Sequence, residues 1–230
     1  MIKQHSLHFL ITAGPTLEPI DPVRFISNHS SGKMGYALAS AALKMGHRVI
    51  LITGPTSLSP PKKAKTIHVT TAGEMHRAVI KHFPKADVII KVAAVADYRP
   101  AKRAPKKIKK TQLTLTLKLV KNPDILKELG QKKNPHQILV GFAAETNNAK
   151  KNALKKLKEK NCDWIVLNSV AGKNKGFESD YNETTLLSAR GHEIHWGKTL
   201  KTVLASRIIS LLLKEGTRPP KTTKTQKSLR

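Results

Sequence analysis

The fold is decided by the stretch Leu7-His8-Phe9-Leu10-Ile11-Thr12-Ala13, a short apolar run that Gly14-Pro15-Thr16 closes. An apolar run of this length that ends in a turn is typical of a buried β-strand. Helical spacing follows over residues 35–44 and stops at Gly46, and a second apolar run covers residues 48–53. Strand, helix and strand in this order predict a right-handed parallel crossover.

The same alternation continues outward from this unit. The pattern predicts a strand at 67–69, a helix at 72–82 and a strand at 86–90, which leads into Ala93-Ala94-Val95-Ala96-Asp97. Aromatic residues make up only 4% of the chain, which suits aliphatic parallel strands covered by helices. We therefore predict an α/β fold with a Rossmann-like, doubly wound, mostly parallel sheet. Its functional rim should lie beyond the carboxyl ends of the strands, at residues 14–16, 54–55 and 93–97.

The next segment interrupts this alternation. The run Lys107-Ile108-Lys109-Lys110 and the alternating residues 113–119 predict an exposed two-stranded β flap over about residues 101–120. The earlier pattern then returns, with helices predicted at 124–129, 148–160 and 200–213 and strands at 138–142, 164–168 and 183–188. One domain is expected over residues 1–215. Residues 216–230 are polar and basic, and we expect them to form a disordered tail.

Composition limits the class of protein. The chain has 230 residues and one cysteine, Cys162, so no internal disulfide can form. No run approaches the roughly 18 consecutive apolar residues of a transmembrane helix, and we expect a cytoplasmic protein. Cys162 precedes a predicted strand and has no evident histidine partner, which favours a buried structural cysteine over a nucleophile.

The charge is strongly basic, with 42 Lys and Arg against 15 Asp and Glu and a net charge of +27. Such a balance indicates polyanion binding, an anionic small substrate or a bias of the whole lineage. Basic residues occur in every segment, without interleaved aromatics. The distribution argues against nucleic-acid binding as the primary function and leaves nonspecific RNA binding by the tail open.

Residues 24–35 form the first informative motif, Arg24-Phe25-Ile26-Ser27-Asn28-His29-Ser30-Ser31-Gly32-Lys33-Met34-Gly35. Small hydroxyl and amide side chains with two glycines directly before a helix are typical of an anion site at a helix N-terminus. The segment lacks the first glycine and the final Ser or Thr of a Walker A loop. The simpler alternative is a serine N-cap on a surface helix.

With this motif, five further segments resemble, in chain order, the signatures of bacterial phosphopantothenate–cysteine ligase over about residues 7–213. They are Ile11-Thr12-Ala13-Gly14-Pro15-Thr16, residues 93–100, Lys107-Ile108-Lys109-Lys110, Asn122-Pro123-Asp124-Ile125 and Gly141-Phe142-Ala143-Ala144-Glu145-Thr146. In that family the ligase is often the C-terminal half of a fusion with a flavin-dependent decarboxylase. The resemblance is to a stand-alone ligase, which implies a decarboxylase on a separate polypeptide. It also implies a homodimer whose flap reaches toward a shared site.

The resemblance implies a reaction of coenzyme A biosynthesis, the CTP-dependent ligation of 4'-phosphopantothenate to L-cysteine. In the family, the carboxylate of phosphopantothenate attacks the α-phosphate of CTP, pyrophosphate leaves, and the amine of cysteine displaces CMP from the acyl-cytidylate. Cations and N–H donors are the catalysts expected for such anionic transition states. The implied cofactor is Mg²⁺ with CTP, which needs only one or two protein carboxylates; its ligands are not identified from the sequence.

The resemblance also implies the site residues. Asn28 would hold and polarise the acyl intermediate, and Lys107 would close over it from the flap in the second half-reaction. Arg24 would pair with substrate phosphate or support the dimer. The substrate site would contain Arg24, Asn28, Ser30, Ser31, Gly32 and Lys33. The nucleotide site would contain Ala93, Ala94, Asp97, Lys107, Asn122, Pro123, Asp124, Ile125, Phe142, Lys156 and Lys160.

Some alternatives stay open on sequence. Lys91 places a charge at the end of a predicted buried strand, where it either reaches the rim and meets phosphate or extends out to solvent. ATP could replace CTP. A nicotinamide-dependent reductase would share the sheet but would need a glycine fingerprint and an acidic residue after the second strand, where Gly54-Pro55-Thr56 stands. A nucleic-acid-binding module would bind oligonucleotides with a steep salt dependence and release no pyrophosphate.

Overall fold

A computed structural model describes residues 6–110, 113–145, 147–169 and 179–216. The strands are β1 (His8–Ala13), β2 (Leu17–Pro19), β3 (Phe25–Ser27), β4 (Arg48–Thr53), β5 (Lys65–His68), β6 (Val88–Lys91), β7 (Tyr98–Pro100), β8 (Leu119–Lys121), β9 (Ile138–Glu145), β10 (Trp164–Ser169), β11 (Tyr181–Ser188) and β12 (Glu193–Leu200). The helices are α1 (Lys33–Lys44), α2 (Ala72–His82), α3 (Ile125–Lys132), α4 (Ala149–Glu159) and α5 (Lys201–Gly216), with a 3₁₀ turn at Phe83–Lys85. The predicted tail after Gly216, residues 111–112 of the flap and Thr146 lie outside the described residues.

Eight strands form the central sheet in the order β12-β11-β10-β9-β6-β1-β4-β5. The six strands from β10 to β5 are parallel, and β11 and β12 add an antiparallel edge. The chain runs from β1 outward through β4 and β5, and then returns to the other side of β1 at β6. This reversal confirms the predicted Rossmann-like, doubly wound sheet and opens a crevice beyond the carboxyl ends of β1 and β6.

Apolar side chains of alternate strand residues face two separate cores. Phe9 and Ile11 of β1 join a cluster that includes residues of α1 and α5, whereas Leu10 joins a cluster that includes residues of α2, α3 and α4. Burial of both faces explains why the parallel strands are continuous apolar runs that can be recognised in the sequence. Among the described residues, no helix is both long and apolar enough to cross a membrane.

Gly35 allows α1 to lie directly against β1. A Cβ atom at this position would lie 2.5 Å from the Cβ of Ala13, which is closer than packed carbons approach. Gly32, immediately before the helix, has a φ of +75°, a left-handed conformation that favours glycine. The two glycines of the motif therefore place the first turn of α1 at the rim of the sheet.

The structure corrects the predicted flap. The alternating residues 113–119 were predicted to be a strand, but β8 includes only the last of them and pairs with β7 at the base of the flap. Leu113 is fully exposed, so the alternation does not correspond to a buried face. The structure also adds the hairpin of β2 and β3, in a stretch predicted to be irregular, and the edge strand β12.

Candidate functional site

A cavity of about 870 Å³ lies at the carboxyl ends of the central strands. It is lined by residues from the loop before α1, the loop after β6, the start of α3, the end of β9 and the α4 helix. Every residue of the predicted substrate and nucleotide sites lines this cavity except Arg24 and Lys107. Segments far apart in sequence thus meet at the rim that the strand order predicts.

The first turn of α1 borders one side of the cavity. Gly32 is the N-cap residue; no side chain among the described residues caps the helix, and its first turn contains no acidic residue. The backbone N–H of Gly32 has a long contact of 3.4 Å to the Ser30 hydroxyl. Unsatisfied N–H groups at a helix start attract anions, so this side of the cavity suits a phosphate or carboxylate.

The loop after β6 is fixed to the loop after β1. The N–H of Ala94 donates to the carbonyl of Gly14 over 2.9 Å, and the Ala94 carbonyl accepts from the N–H of Thr16 over 3.2 Å. The same carbonyl accepts from Nδ2 of Asn28 over 3.3 Å. Asn28 is therefore held between the α1 side of the cavity and the Ala93–Ala94 segment.

The opposite side of the cavity is built by α3 and α4. Nζ of Lys156 donates to the carbonyl of Phe142 over 2.9 Å, and Nζ of Lys160 lies 2.6 Å from Oδ2 of Asp124. Nδ2 of Asn122 donates to the carbonyl of Ala96 over 2.8 Å. Lys156 of α4 and Lys160, the residue that caps its C-terminus, thus line the same cavity.

Lysines dominate the charge of the lining. The basic side chains are Lys33, Lys91, Lys121, Lys156, Lys160 and Lys201, and the acidic ones are Asp97 and Asp124. Burial, together with the nearby charge of Lys156, lowers the pKa of Lys91 to about 8. Burial also lowers the pKa of Lys201, with a further contribution from Lys33. The lowered pKa values reflect burial and crowding of like charges, and an anion bound in the cavity would offset this repulsion.

Several of these residues were missed or left open by sequence reasoning. Lys91 does reach the rim, because β6 ends there. Lys201 begins α5, and Asn168 and Asn182 lie on neighbouring strands and share a hydrogen bond of 3.3 Å. The sequence motifs lie in the part of the chain that forms the parallel strands. Asn182 and Lys201 lie after that part and can be assigned to the cavity only once the strand order is known.

Arg24 and Lys107 lie outside the cavity lining. The Arg24 guanidinium donates from Nε and Nη2 to Oδ2 of Asp21, at 3.0 and 2.6 Å. Lys107 is exposed on the flap, beside Ile108. The structure thus brings the predicted site residues together except for these two; Arg24 instead contacts Ile108, the flap residue that follows Lys107.

Two other predictions concern metal and thiol chemistry. Within the described ranges, no group of three or more His, Cys, Asp or Glu side chains is placed to hold a metal ion. Asp97 and Asp124 are the cavity carboxylates, a set that fits a Mg²⁺ ion held mainly by phosphate oxygens. Cys162 is buried, and burial raises the pKa of its thiol to about 12, which confirms a structural cysteine.

Comparison with known proteins identifies relatives of this arrangement. The family model described as the DNA/pantothenate metabolism flavoprotein C-terminal domain matches residues 4–215. The chain is 52% identical over 187 residues to the coenzyme A biosynthesis bifunctional protein CoaBC of Bacillus subtilis (strain 168), which covers 81% of this chain and 46% of that protein. The chain therefore spans about half the length of this relative.

Solved structures share the fold. The crystal structure of the C-terminal domain of a coenzyme A biosynthesis bifunctional protein CoaBC superposes with a TM-score of 0.78 at 42% identity, covering 91% of this chain and 95% of that one. A more distant structure, in complex with phosphopantothenate-cysteine, has a TM-score of 0.71 at 19% identity and covers 91% of this chain and 86% of that one. At that identity the likeness concerns the fold alone.

Proposed function

The chain belongs to the family of the DNA/pantothenate metabolism flavoprotein C-terminal domain, and we propose that it ligates 4'-phosphopantothenate to L-cysteine at the expense of CTP. Family membership supports the ligase reaction. The similar protein of Bacillus subtilis carries the name of a bifunctional coenzyme A biosynthesis protein, and a structure of the same fold contains phosphopantothenate-cysteine. The choice of CTP and the acyl-cytidylate intermediate rest on the family resemblance and belong to this proposal.

A single observation supports this function best: one cavity is lined by the start of α1, by the basic side chains of Lys156 and Lys160, and by Asn28. The start of α1 offers N–H groups, and α4 offers the ammonium groups of Lys156 and Lys160. Two anionic reactants, a phosphorylated acid and a nucleoside triphosphate, can then be bound next to each other. Holding both in reacting geometry turns a bimolecular reaction into an effectively unimolecular one and so lowers the barrier.

In the first half-reaction, a carboxylate oxygen of phosphopantothenate attacks the α-phosphorus of CTP. An O–P bond forms, the bond between the α- and β-phosphates breaks, and pyrophosphate leaves with the electron pair. Lys156 and Lys160 are placed to neutralise the charge that develops on the phosphates. Mg²⁺ bound with CTP would neutralise further charge, with Asp97 or Asp124 as a carboxylate ligand.

In the second half-reaction, the amine of cysteine attacks the acyl carbon of the acyl-cytidylate. A C–N bond forms, the amine loses a proton, and CMP leaves. Asn28 carries both a donor and an acceptor; its Nδ2 donates to the Ala94 carbonyl, and its amide oxygen would accept a hydrogen bond in this step. Lys107 would approach from the flap and stabilise the departing phosphate.

The proposal extends to the setting of the reaction. We place the enzyme in the cytoplasm, acting as a homodimer, and its product would be the substrate of a flavin-dependent decarboxylase. The predictions of the dimer and of a separate decarboxylase rest on the family resemblance. A second function is not favoured. A nicotinamide cofactor requires a glycine fingerprint and an acidic residue, and Gly54-Pro55-Thr56 after β4 provides neither.

The proposal is tested by pyrophosphate release from the purified protein with Mg²⁺, phosphopantothenate and cysteine. CTP is compared with ATP, and each component is omitted in turn. Release that requires phosphopantothenate and is faster with CTP is the expected result. Absence of release with either nucleotide, from protein with a folded circular dichroism spectrum, would overturn the proposed function.

A further inference from the structure

Asp21 lies in the turn between β2 and β3, and its side chain is completely buried. Oδ1 accepts the backbone N–H groups of Val23 and Arg24, at 2.8 and 2.9 Å, and so closes the turn. Oδ2 accepts Nε and Nη2 of Arg24 and, at 3.1 Å, the backbone N–H of Ile108 on the flap. Oδ1 therefore bonds within the hairpin, whereas Oδ2 bonds both to Arg24 of the hairpin and to the flap.

The contact between hairpin and flap is made twice more. Nη2 of Arg24 also donates to the carbonyl of Ile108 over 3.0 Å, so Asp21 and Arg24 together satisfy both backbone groups of that residue. The N–H of Ala104 donates to the carbonyl of Ile20 over 2.9 Å. Ile108 follows Lys107 directly, so these bonds fix the backbone next to the flap lysine.

The same hairpin leads into the predicted catalytic asparagine. Strand β3 ends at Ser27, whose hydroxyl donates to the carbonyl of Thr16 over 2.9 Å, and Asn28 is the next residue. Asp21 is thus joined by a few residues of ordered chain to Asn28 and by one hydrogen bond to the neighbour of Lys107. Asn28 and Lys107, the two residues to which the family resemblance gives catalytic roles, therefore share one support.

We propose that Asp21 is a positioning residue that, with Arg24, anchors the flap through Ile108 and so sets the position of Lys107 relative to Asn28. Asp21 touches no substrate in this role. The proposal rests on the proposed function for what Lys107 does, but the anchor itself is a property of the fold.

Two features indicate that Asp21 and Arg24 anchor the flap rather than forming a buried ion pair with no further role. Backbone bonds from Ile20 and Asp21 to the Arg24 carbonyl already close the hairpin turn, and Oδ1 adds two more. Oδ2 and the guanidinium of Arg24 each make a further bond to Ile108, a residue more than eighty positions away. The Arg24 guanidinium holds the pKa of the Asp21 carboxyl well below its usual range, and Asp21 therefore stays an acceptor at any pH at which the enzyme works. An ionised acceptor gives stronger hydrogen bonds than a neutral one.

Hydrogen–deuterium exchange measures the anchor without any assay of activity. Asp21→Asn keeps a carbonyl oxygen for the turn but replaces the flap-facing oxygen with an amide group, which cannot accept. Exchange of the Ile108 amide should become at least about tenfold faster, as expected for the loss of a hydrogen bond to a charged group. Peptides from β1 and β6 should exchange at the wild-type rate. Glu193→Gln, which breaks the exposed ion pair to Lys150, is the matched control and should leave the flap unchanged.

The two half-reactions then test whether the anchor positions Lys107. Asp21→Asn should slow the transfer to cysteine at least as much as Lys107→Gln does. Ile108→Pro removes the N–H donor while keeping Asp21; it serves if Asp21→Asn fails to fold, and its flap exchange is then measured at the Lys107 and Lys109 amides. Unchanged flap exchange in a folded variant would overturn the anchor. Faster exchange with an unchanged transfer rate would overturn the positioning role. If the wild type releases no pyrophosphate, the proposed function fails while the exchange result still decides the anchor.

Discussion

Nζ of Lys160 lies 2.6 Å from Oδ2 of Asp124, and this ion pair joins the end of α4 to the N-cap of α3. Burial works to raise the pKa of the Asp124 carboxyl, but hydrogen bonds from Lys160 and the N–H of Lys127, with the charges of Lys160 and Lys91, hold it below its usual value. The pair therefore keeps a carboxylate ionised in a cavity that should receive phosphates. Lys160 both offsets this negative charge and lines the cavity.

Lys160→Met should weaken CTP binding by roughly tenfold, because the variant loses a cation and leaves Asp124 uncompensated. The measurement is the dissociation constant for CTP by isothermal titration calorimetry at fixed ionic strength. Lys155→Met is the control, since Lys155 lies on the same helix, is exposed and pairs at 3.8 Å with Glu159. A loss of affinity as large in Lys155→Met would mean that α4 acts only as a general basic surface.

Asn28 and Lys107 should fail at different steps. Replacing Asn28 by Ala should abolish or greatly slow the overall ligation, because the acyl intermediate loses its neutral donor and acceptor. Lys107→Gln should still permit CTP-dependent pyrophosphate release in the absence of cysteine but should impair formation of phosphopantothenoylcysteine, which mass spectrometry detects. Lys106→Gln, a change at the neighbouring exposed lysine, should behave as wild type. Wild-type rates for both site variants would refute the assignment.

Much of this arrangement follows from sequence for a physical reason. The parallel strands are buried on both faces, so β1 and β4 are apolar runs that local patterns identify. Strand β12 is mostly exposed and carries Glu193 and Lys198, so its composition does not separate it from a loop. The prediction of a strand over residues 113–119 was wrong, because alternation of apolar and polar residues indicates a strand only where one face of that strand is buried.

The residues of the candidate site also form two groups, those that local sequence predicts and those that depend on long-range strand pairing. Asn28 and Asp124 lie in short motifs next to helix starts, where local sequence determines the geometry. Lys201 and Asn182 enter the cavity only because β11 returns antiparallel beside β10, a long-range pairing that local pattern does not determine. The bond between Asp21 and Ile108 was likewise missed, because it joins segments whose contact depends on the folded path of the flap.

The affinity for CTP should depend on Lys91 and on pH. Burial and then Lys156 lower the pKa of Lys91 to about 8, while Asp124 and Asp97 act in the opposite direction. Below pH 8 the ammonium is charged and can bind phosphate; above pH 8 it loses its proton and this contribution disappears. Lys91→Met should therefore bind CTP roughly tenfold more weakly than wild type at pH 7, and the difference should narrow by pH 9.

The same titrations supply the control for Lys91. Lys155→Met should follow the pH profile of the wild type, because its charge is exposed and outside the cavity lining. A difference between Lys91→Met and wild type that stays constant from pH 7 to pH 9 would show that protonation of Lys91 is not coupled to nucleotide binding.

His47 should make the fold less stable at low pH. Its ring packs against the ring of Phe9 at a tilt, with the ring centroids 5.4 Å apart. Its Nδ1 accepts the N–H of Leu7 over 3.2 Å, and its buried Nε2 has no hydrogen-bond partner among the described residues. Burial lowers the pKa of His47, so the unfolded chain binds a proton near pH 6.5 that the folded chain does not. The free energy of unfolding therefore falls as pH drops below about 6.5, by at most about 1.4 kcal/mol per pH unit.

Urea unfolding at pH 7.5 and pH 5.5 measures this dependence. His47→Gln should be less stable than wild type at pH 7.5, by roughly 1 kcal/mol, but should lose less stability on acidification. The pKa of His82 is lowered as well, mainly by burial, and its contribution is common to both proteins. Equal losses in both proteins would assign the pH dependence to other groups.

Cys162 should be unreactive in the folded enzyme. The side chain is buried beneath Gly141, and burial raises the pKa of its thiol to about 12, so at pH 8 only about one molecule in 10⁴ carries the reactive thiolate. Native protein should react with a disulfide reagent at least about a hundredfold more slowly than urea-unfolded protein. Cys162→Ala should ligate at a rate within about twofold of wild type while losing roughly 1 kcal/mol of stability to the small cavity it creates. Rapid labelling of the native thiol, together with loss of ligation in Cys162→Ala, would instead place this cysteine in the chemistry.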